Sequence, residues 1–267
     1  MRRCAALAAA LMLMLSACRK LPDGSSQAET TVSLTESAPE TVTETETTAA
    51  LPPTAPEIAA LPAGTVLDAA SLPPETVDAV FFSEPVSDSL FQRINGVSYT
   101  ENPYITREDL RCLHLLHRTP DGETKTGEMI ANQRIADDLL EIFRALYDAA
   151  YPIGQIRLVE EYGGDDNLSM ADNNSSCFNY RTVPGKTTLS RHALGLAVDI
   201  NPLYNPYIDG DSIMPENAAP YTDRGADFPM KITEDDLCCR LFREHGFFWG
   251  GFWRNLPDYQ HFEMRDP

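Results

Sequence analysis

The chain is expected to fold as an α+β domain, a small antiparallel sheet with flanking helices. Two extended runs, Leu110 to Arg118 and Thr124 to Ala131, are separated by Pro120-Asp121-Gly122, which is the turn chemistry of a β-hairpin. Between Gln133 and Ala150 the apolar residues Ile135, Leu139, Leu140, Phe143, Leu146, Tyr147 and Ala150 recur at three and four, the stripe of an amphipathic helix. The resulting order of hairpin, helix, strand, long loops, helix and short terminal strands matches an α+β arrangement with a largely antiparallel sheet.

Taken from the N-terminus, the chain opens with a leader. Arg2 and Arg3 precede an apolar run from Cys4 to Leu15, and Leu15-Ser16-Ala17-Cys18 closes it with small residues, so residues 1–17 are expected to be a signal peptide. Leu-Ser-Ala-Cys resembles a bacterial lipobox. That resemblance implies that Cys18 becomes a lipidated first residue and anchors the protein on the extracytoplasmic face of a bacterial membrane. Residues 18–76 are dominated by Thr, Glu, Ala, Pro and Ser, with too little apolar surface to offset ordering entropy. They are expected to form a disordered tether ahead of one folded domain, residues 77–267.

Charge narrows the partners. With 21 basic against 40 acidic side chains and a net charge of −19, the chain repels phosphate backbones, which excludes nucleic acid as a main partner. No apolar stretch reaches about 18 residues, so a membrane-spanning helix is excluded too; membrane contact is expected through the anchor, and a monomer is expected. Apart from Cys4 and Cys18, the cysteines are Cys112, Cys177, Cys238 and Cys239. An even number in an exported domain permits disulfides, and adjacency disfavours a bridge between Cys238 and Cys239, but spacing leaves the pairing open.

Past the first helix, Pro152 and Gly154 stop it, and Gln155 to Tyr162 alternates as a strand does. A second helix is expected from Thr233, with Glu234, Asp235 and Asp236 in its first turn, to about Gly246, where His245 meets the negative end of the dipole. His114 and His117 are three apart on an extended run, hence on opposite faces, and are read as structural. The long segment from Asn201 to Lys231, with Tyr204, Tyr207 and Tyr221, has the length at which loops often form lids.

Two segments concentrate chemistry, Ser190 to Asp199 and Asp258 to Glu263. An aspartate embedded in the apolar run Ala197 to Ile200 is costly unless it is paired or bound to a cation. His192 precedes it on a tight turn that Gly195 permits, and His261 leads into Phe262 and Met264 at strand spacing. Zinc bound by two imidazoles and one carboxylate keeps one position open for water, and His192, Asp199 and His261 can supply that set. Asp258 is then a carboxylate close to the metal, suited to accept a proton. Arg181 either offers two parallel donors to an oxyanion or terminal carboxylate, or pairs with Asp165, Asp166 or Asp172. Trp249 and Trp253 divide between core packing and a substrate-binding wall, and Ser190 and Glu263 are candidates to orient the ligating histidines.

The pattern Ser190-x-His192-x-x-Gly195-x-Ala197-x-Asp199, followed by Asp258-x-x-His261, resembles the zinc peptidases of family M15. These include D-alanyl-D-alanine carboxypeptidases, dipeptidases and L-alanyl-D-glutamate endopeptidases. Trp249-Gly250-Gly251-Phe252-Trp253 and the phenylalanine after His261 are further similar to the endopeptidase branch. The resemblance spans roughly residues 155 to 264. It implies a hedgehog/D,D-peptidase-like fold, zinc held by His192, Asp199 and His261, Asp258 as general base and Arg181 as the group that stabilises the oxyanion. The implied substrates are peptidoglycan stem peptides. The implied reaction is L-alanyl-D-glutamate endopeptidase hydrolysis, with D-alanyl-D-alanine carboxypeptidase activity as the alternative and a non-catalytic wall-binding module as the alternative of another class.

Overall fold

The computed structural model describes residues 52–183 and 185–265; the leader, Cys18 and the tether before residue 52 lie outside the described residues. The strands are β1 (Val66–Leu67), β2 (Phe82–Pro85), β3 (Leu110–Arg118), β4 (Thr124–Asn132), β5 (Gln155–Ile156), β6 (Asn174–Ser175), β7 (Ala197–Asp199), β8 (Tyr207–Asp209), β9 (Ser212–Met214), β10 (Phe248–Trp249) and β11 (His261–Glu263). The helices are α1 (Ala55–Ala59), α2 (Pro74–Val80), α3 (Asp88–Ile94), α4 (Ala136–Asp148), α5 (Asp166–Ala171) and α6 (Leu237–Glu244). The expected α+β architecture is present, with small antiparallel sheets flanked by helices.

The hairpin forms as the turn chemistry predicts. β3 and β4 pair antiparallel from Leu110↔Asn132 to Arg118↔Thr124, and Gly122 takes the left-handed backbone its turn needs, at φ 84°. β2 lies along the outer edge of β3 and β1 along that of β4, giving the order β1-β4-β3-β2. Leu113 and Leu115 share a core with Leu139, Phe143 and Leu146 of α4, while Leu116, on the opposite face, is covered by α1 and α2. A second antiparallel sheet, in the order β10-β11-β7, contributes Val198 and Phe262 to the α4 core, where Phe262 stacks on Phe242 of α6 at 4.3 Å. These shared apolar side chains join the two sheets into one body.

Several sequence expectations are corrected. Residues 54–76, assigned to the tether, are folded: a capping box between Thr54 and Glu57 starts α1, and Ile58 is wholly buried among Val77, Val80, Leu116 and Tyr147. Their sparse apolar side chains suffice because the hairpin and α4 supply the other half of the contact, which composition does not register. Only Gln155–Ile156 of the expected strand 155–162 is extended, pairing in parallel with β6. Beyond it the Arg157 N–H turns to the Asn174 side-chain oxygen (2.7 Å), and Val159–Tyr162 is a 3-10 turn.

The first long helix occupies Ala136–Asp148, inside the range 133–150. The second begins at Leu237 rather than Thr233, because Asp236 is the residue whose carboxylate accepts the Cys238 N–H (2.8 Å), and the Tyr151 hydroxyl donates to that same carboxylate (3.1 Å). His245 ends this helix next to Asp138, 3.1 Å away.

The remaining singled-out residues are structural. His114 stacks on Phe82 and contacts Glu84, whereas His117 is buried on the other face, where desolvation pushes it down to about 4. Cys112, Cys177, Cys238 and Cys239 are free, buried thiols whose pKa burial raises, so they are inert rather than bridged. No helix of the described residues is long and apolar enough to cross a membrane.

Candidate active site

The turn before β7 sets His192. Ser190 Oγ accepts the His192 backbone N–H (3.3 Å) at the start of a 3-10 turn, Arg191–Leu194, and Gly195 ends it in the left-handed region at φ 63°. So Ser190 orients the turn that carries His192, not its imidazole. A Cβ on Gly195 would lie 2.7 Å from the Asn132 backbone nitrogen, so the turn docks against β4 through bare backbone. Gly195→Ala is therefore expected to destabilise the fold by about 2 kcal/mol or more, from left-handed strain and overlap, which a urea melt reads as a lower midpoint.

Register then selects the other two candidate ligands. β11 runs antiparallel to β7 with His261 opposite Asp199, Phe262 opposite Val198 and Glu263 opposite Ala197. Opposed residues share a face. Asp199, His261 and Glu263 thus point to the site, while Val198 and Phe262 point to the core.

His192, Asp199 and His261 offer ligand atoms that all lie within 4.8 Å of one another. His192 Nε2 is 3.2 Å from Asp199 Oδ2, and His261 Nδ1 is 3.0 Å from Asp199 Oδ1. His192 Nδ1 sits 2.6 Å from the Cys177 carbonyl, which only accepts, so that nitrogen carries a proton and Nε2 is the atom turned toward Asp199 and His261. Two imidazoles and a carboxylate in one buried space require positive charge among them, carried by the rings or by a bound cation. Burial alone would raise Asp199, but His192 and His261 hold it well below the usual carboxylate range. Burial likewise opposes charge on His261, yet hydrogen bonding to Asp199 and Glu263 pushes it up to about 10.

The donor set fits zinc: two imidazoles and one carboxylate, each imidazole engaged at its second nitrogen. On His261 that partner is Glu263, whose Oε2 lies 3.5 Å from Nε2. Burial would raise Glu263, but His261 and Arg265 hold its carboxyl down at about 2. Glu263→Gln is accordingly expected to weaken zinc affinity about 10–100-fold, as measured by competition with a chromogenic chelator.

Asp258 enters from the loop before β11. Its N–H donates to the Gly250 carbonyl (3.2 Å), and a Cβ on Gly250 would lie 2.6 Å from the Asp258 carbonyl oxygen, so this glycine lets the loop close onto the site. Asp258 Oδ1 is buried without a hydrogen-bond partner among the described residues. Burial pushes the carboxyl up to about 7, with His261 and Arg181 pulling the other way. A group of that affinity exchanges protons near neutral pH.

A cavity of about 610 Å³ opens over these groups. Arg181 lines it, held by Asp166 of α5 at 2.7 Å. Of the two sequence readings of Arg181, the ion pair is present, with Asp166 as its partner, and the guanidinium lies in the cavity wall. Trp253 is also in the wall, its ring 5.4 Å from that of His261. Trp249 is not: it is paired with Phe262, faces the core, and its ring N–H donates to the Tyr259 carbonyl (2.9 Å). The residue before it, Phe248, is paired with Glu263 and lines the cavity instead.

The structure adds residues that sequence reasoning did not assign to the site. Tyr207 and Met214 of the β8–β9 hairpin belong to the wall, and Tyr207 makes a β-bridge to Asp258, with the Ile208 N–H donating to the Pro257 carbonyl (3.1 Å). The segment from Asn201 to Lys231 thus contributes Tyr207 and Met214 to the cavity wall, and it is pinned from behind. The Asn205 amide donates to Met230 O (2.9 Å) and its oxygen accepts from Ile232 N–H (2.8 Å). Tyrosine content hinted at this segment, but only the bridge places it.

Residues 184–264, which contain His192, Asp199, Asp258 and His261, match the model of a peptidase M15 family described as D-alanyl-D-alanine carboxypeptidase. No curated protein and no solved structure matches the chain. The match supports a hydrolase of the M15 type, a peptidase acting on D-alanyl-D-alanine-type wall peptides. It begins after Arg181, which lies outside the matched residues.

Proposed function

We propose that the protein is a zinc-dependent peptidase that hydrolyses peptide bonds in the stem peptides of peptidoglycan. One observation carries this reading: His192, Asp199 and His261, distant in sequence, converge within 4.8 Å beneath an open cavity that Asp258 also lines. His192 Nε2, Asp199 and His261 Nδ1 would hold the zinc, which when bound supplies Lewis acidity and makes water acidic near neutral pH. Asp258 accepts a proton from the attacking water at its buried oxygen and returns it to the leaving amine. Arg181, fixed by Asp166, offers its donors to the oxyanion that develops on the scissile carbonyl. Phe248 and Trp253 form an apolar wall along which the peptide lies.

The L-alanyl-D-glutamate bond is the favoured target, on the Trp249-Gly250-Gly251-Phe252-Trp253 element; the D-alanyl-D-alanine bond is the second reading, favoured by the description of the matching family. A lipid at Cys18 and the residues between it and the folded body would hold the enzyme at the extracytoplasmic face of a bacterial membrane, within reach of the wall. Metal analysis of the purified protein, with mass spectrometry of digested muropeptides, tests the proposal. Zinc near one per chain and a released stem fragment are expected, whereas release of single alanine would select the second reading. Intact muropeptides from zinc-loaded protein would overturn the peptidase.

A further inference from the structure

The cavity carries charge of the opposite sign to the chain. Net charge is −19, yet Arg181, Lys186, Arg191, Arg254 and Arg265 all line the cavity. Three of them are committed. Arg181 holds Asp166 at 2.7 Å, Arg265 holds Glu263 at 2.7 Å, and Arg191 donates to the Met264 carbonyl. Lys186 and Arg254 differ: both are exposed, and neither charged head has a hydrogen-bond or ion-pair partner among the described residues.

The carboxylates in the same wall do not answer them. Asp166 and Glu263 are taken by Arg181 and Arg265, and Asp199 sits between the two histidines. Asp258 faces His261 and Arg181. Two uncommitted cations on a concave, partly apolar surface focus positive potential there against an acidic background, and that arrangement favours an anion. The guanidinium of Arg254 presents the parallel donors that suit a carboxylate, and the Lys186 ammonium adds a point charge.

We propose that Lys186 and Arg254 form a carboxylate-binding subsite, so that the preferred substrate is a peptide carrying a free carboxylate away from the scissile bond. This rests on the peptidase reading for the word substrate, but the binding itself is separable from hydrolysis. The test uses the full chain with Asp258→Asn, to hold peptide uncleaved, and calorimetric titration with two probes. One is an L-alanyl-D-glutamyl peptide whose glutamyl residue keeps a free carboxylate, and the other is the same peptide with that group as a carboxamide.

The free acid is expected to bind about tenfold more tightly, with the difference shrinking as salt is raised. Arg254→Gln and Lys186→Gln are each expected to lose most of that preference while leaving carboxamide affinity, zinc content and melting temperature unchanged. Equal affinity for both probes, no binding of either, or variants that weaken both probes alike would overturn the subsite. Preference for the free acid without cleavage by the unsubstituted protein would keep the subsite and remove the peptidase. Cleavage of both peptides with equal KM would do the reverse.

Discussion

Replacing His192 with alanine is expected to remove zinc and turnover together. Its Nδ1 is tied to the Cys177 carbonyl at 2.6 Å, so Nε2 is committed to the cluster and no neighbouring imidazole substitutes for it. With only His261 and Asp199 left, the remaining pair offers too few donors for a closed grip on zinc. The Lewis acidity that is lost is worth several kcal/mol of barrier, so kcat/KM should fall by at least about 10³-fold. Metal content by mass spectrometry and initial rates on wall fragments read both effects, and His261→Ala should behave alike. A His192→Ala protein that retains stoichiometric zinc and turnover would show that the cluster is not the metal site.

Asp258→Asn separates proton transfer from metal binding. Asp258 stands outside the group formed by His192, Asp199 and His261, so zinc content should stay at the unsubstituted level. Its backbone is held by the Gly250 carbonyl and by the bridge to Tyr207, so the amide takes the place of the carboxyl without moving the loop. An amide does not accept the water proton, and kcat should drop about 10²- to 10⁴-fold with little change in KM. Unchanged kcat removes Asp258 as the base; loss of zinc would make it a ligand instead.

How far the site was legible differs residue by residue. His192, Asp199, Asp258 and His261 were readable as candidates: an acid inside an apolar strand is costly unless paired or bound, one imidazole precedes it on a tight turn, another leads into a second strand, and a carboxylate stands three positions before that one. Trp249 stayed divided between core packing and a substrate wall because period-two alternation requires a register. Once β10 pairs Phe248 with Glu263, the phenylalanine faces the cavity and the tryptophan the core, and one residue of slip would exchange them. Arg181 was named with two rival roles, and the clamp by Asp166 is a contact that no spacing rule supplies. Tyr207 was noticed as an aromatic in a long loop, but its bridge to Asp258 joins residues far apart in the chain.

The fold divides along the same line. The hairpin and α4 were determined by the sequence alone, because a turn and an amphipathic stripe are local properties with periods that side-chain order displays directly. The folding of residues 54–76, the start of α6 at Leu237 behind Asp236 and the short extent of β5 were decided by tertiary structure. Each depends on a partner surface or acceptor contributed from elsewhere: Leu116 and Tyr147, the Tyr151 hydroxyl, and the Asn174 side chain. The ligand types were likewise written in the chain. Their meeting was not, since only the pairing of β7 with β11 sets His261 across from Asp199, and strand pairing is a free-energy minimum of the whole packed body rather than of either segment.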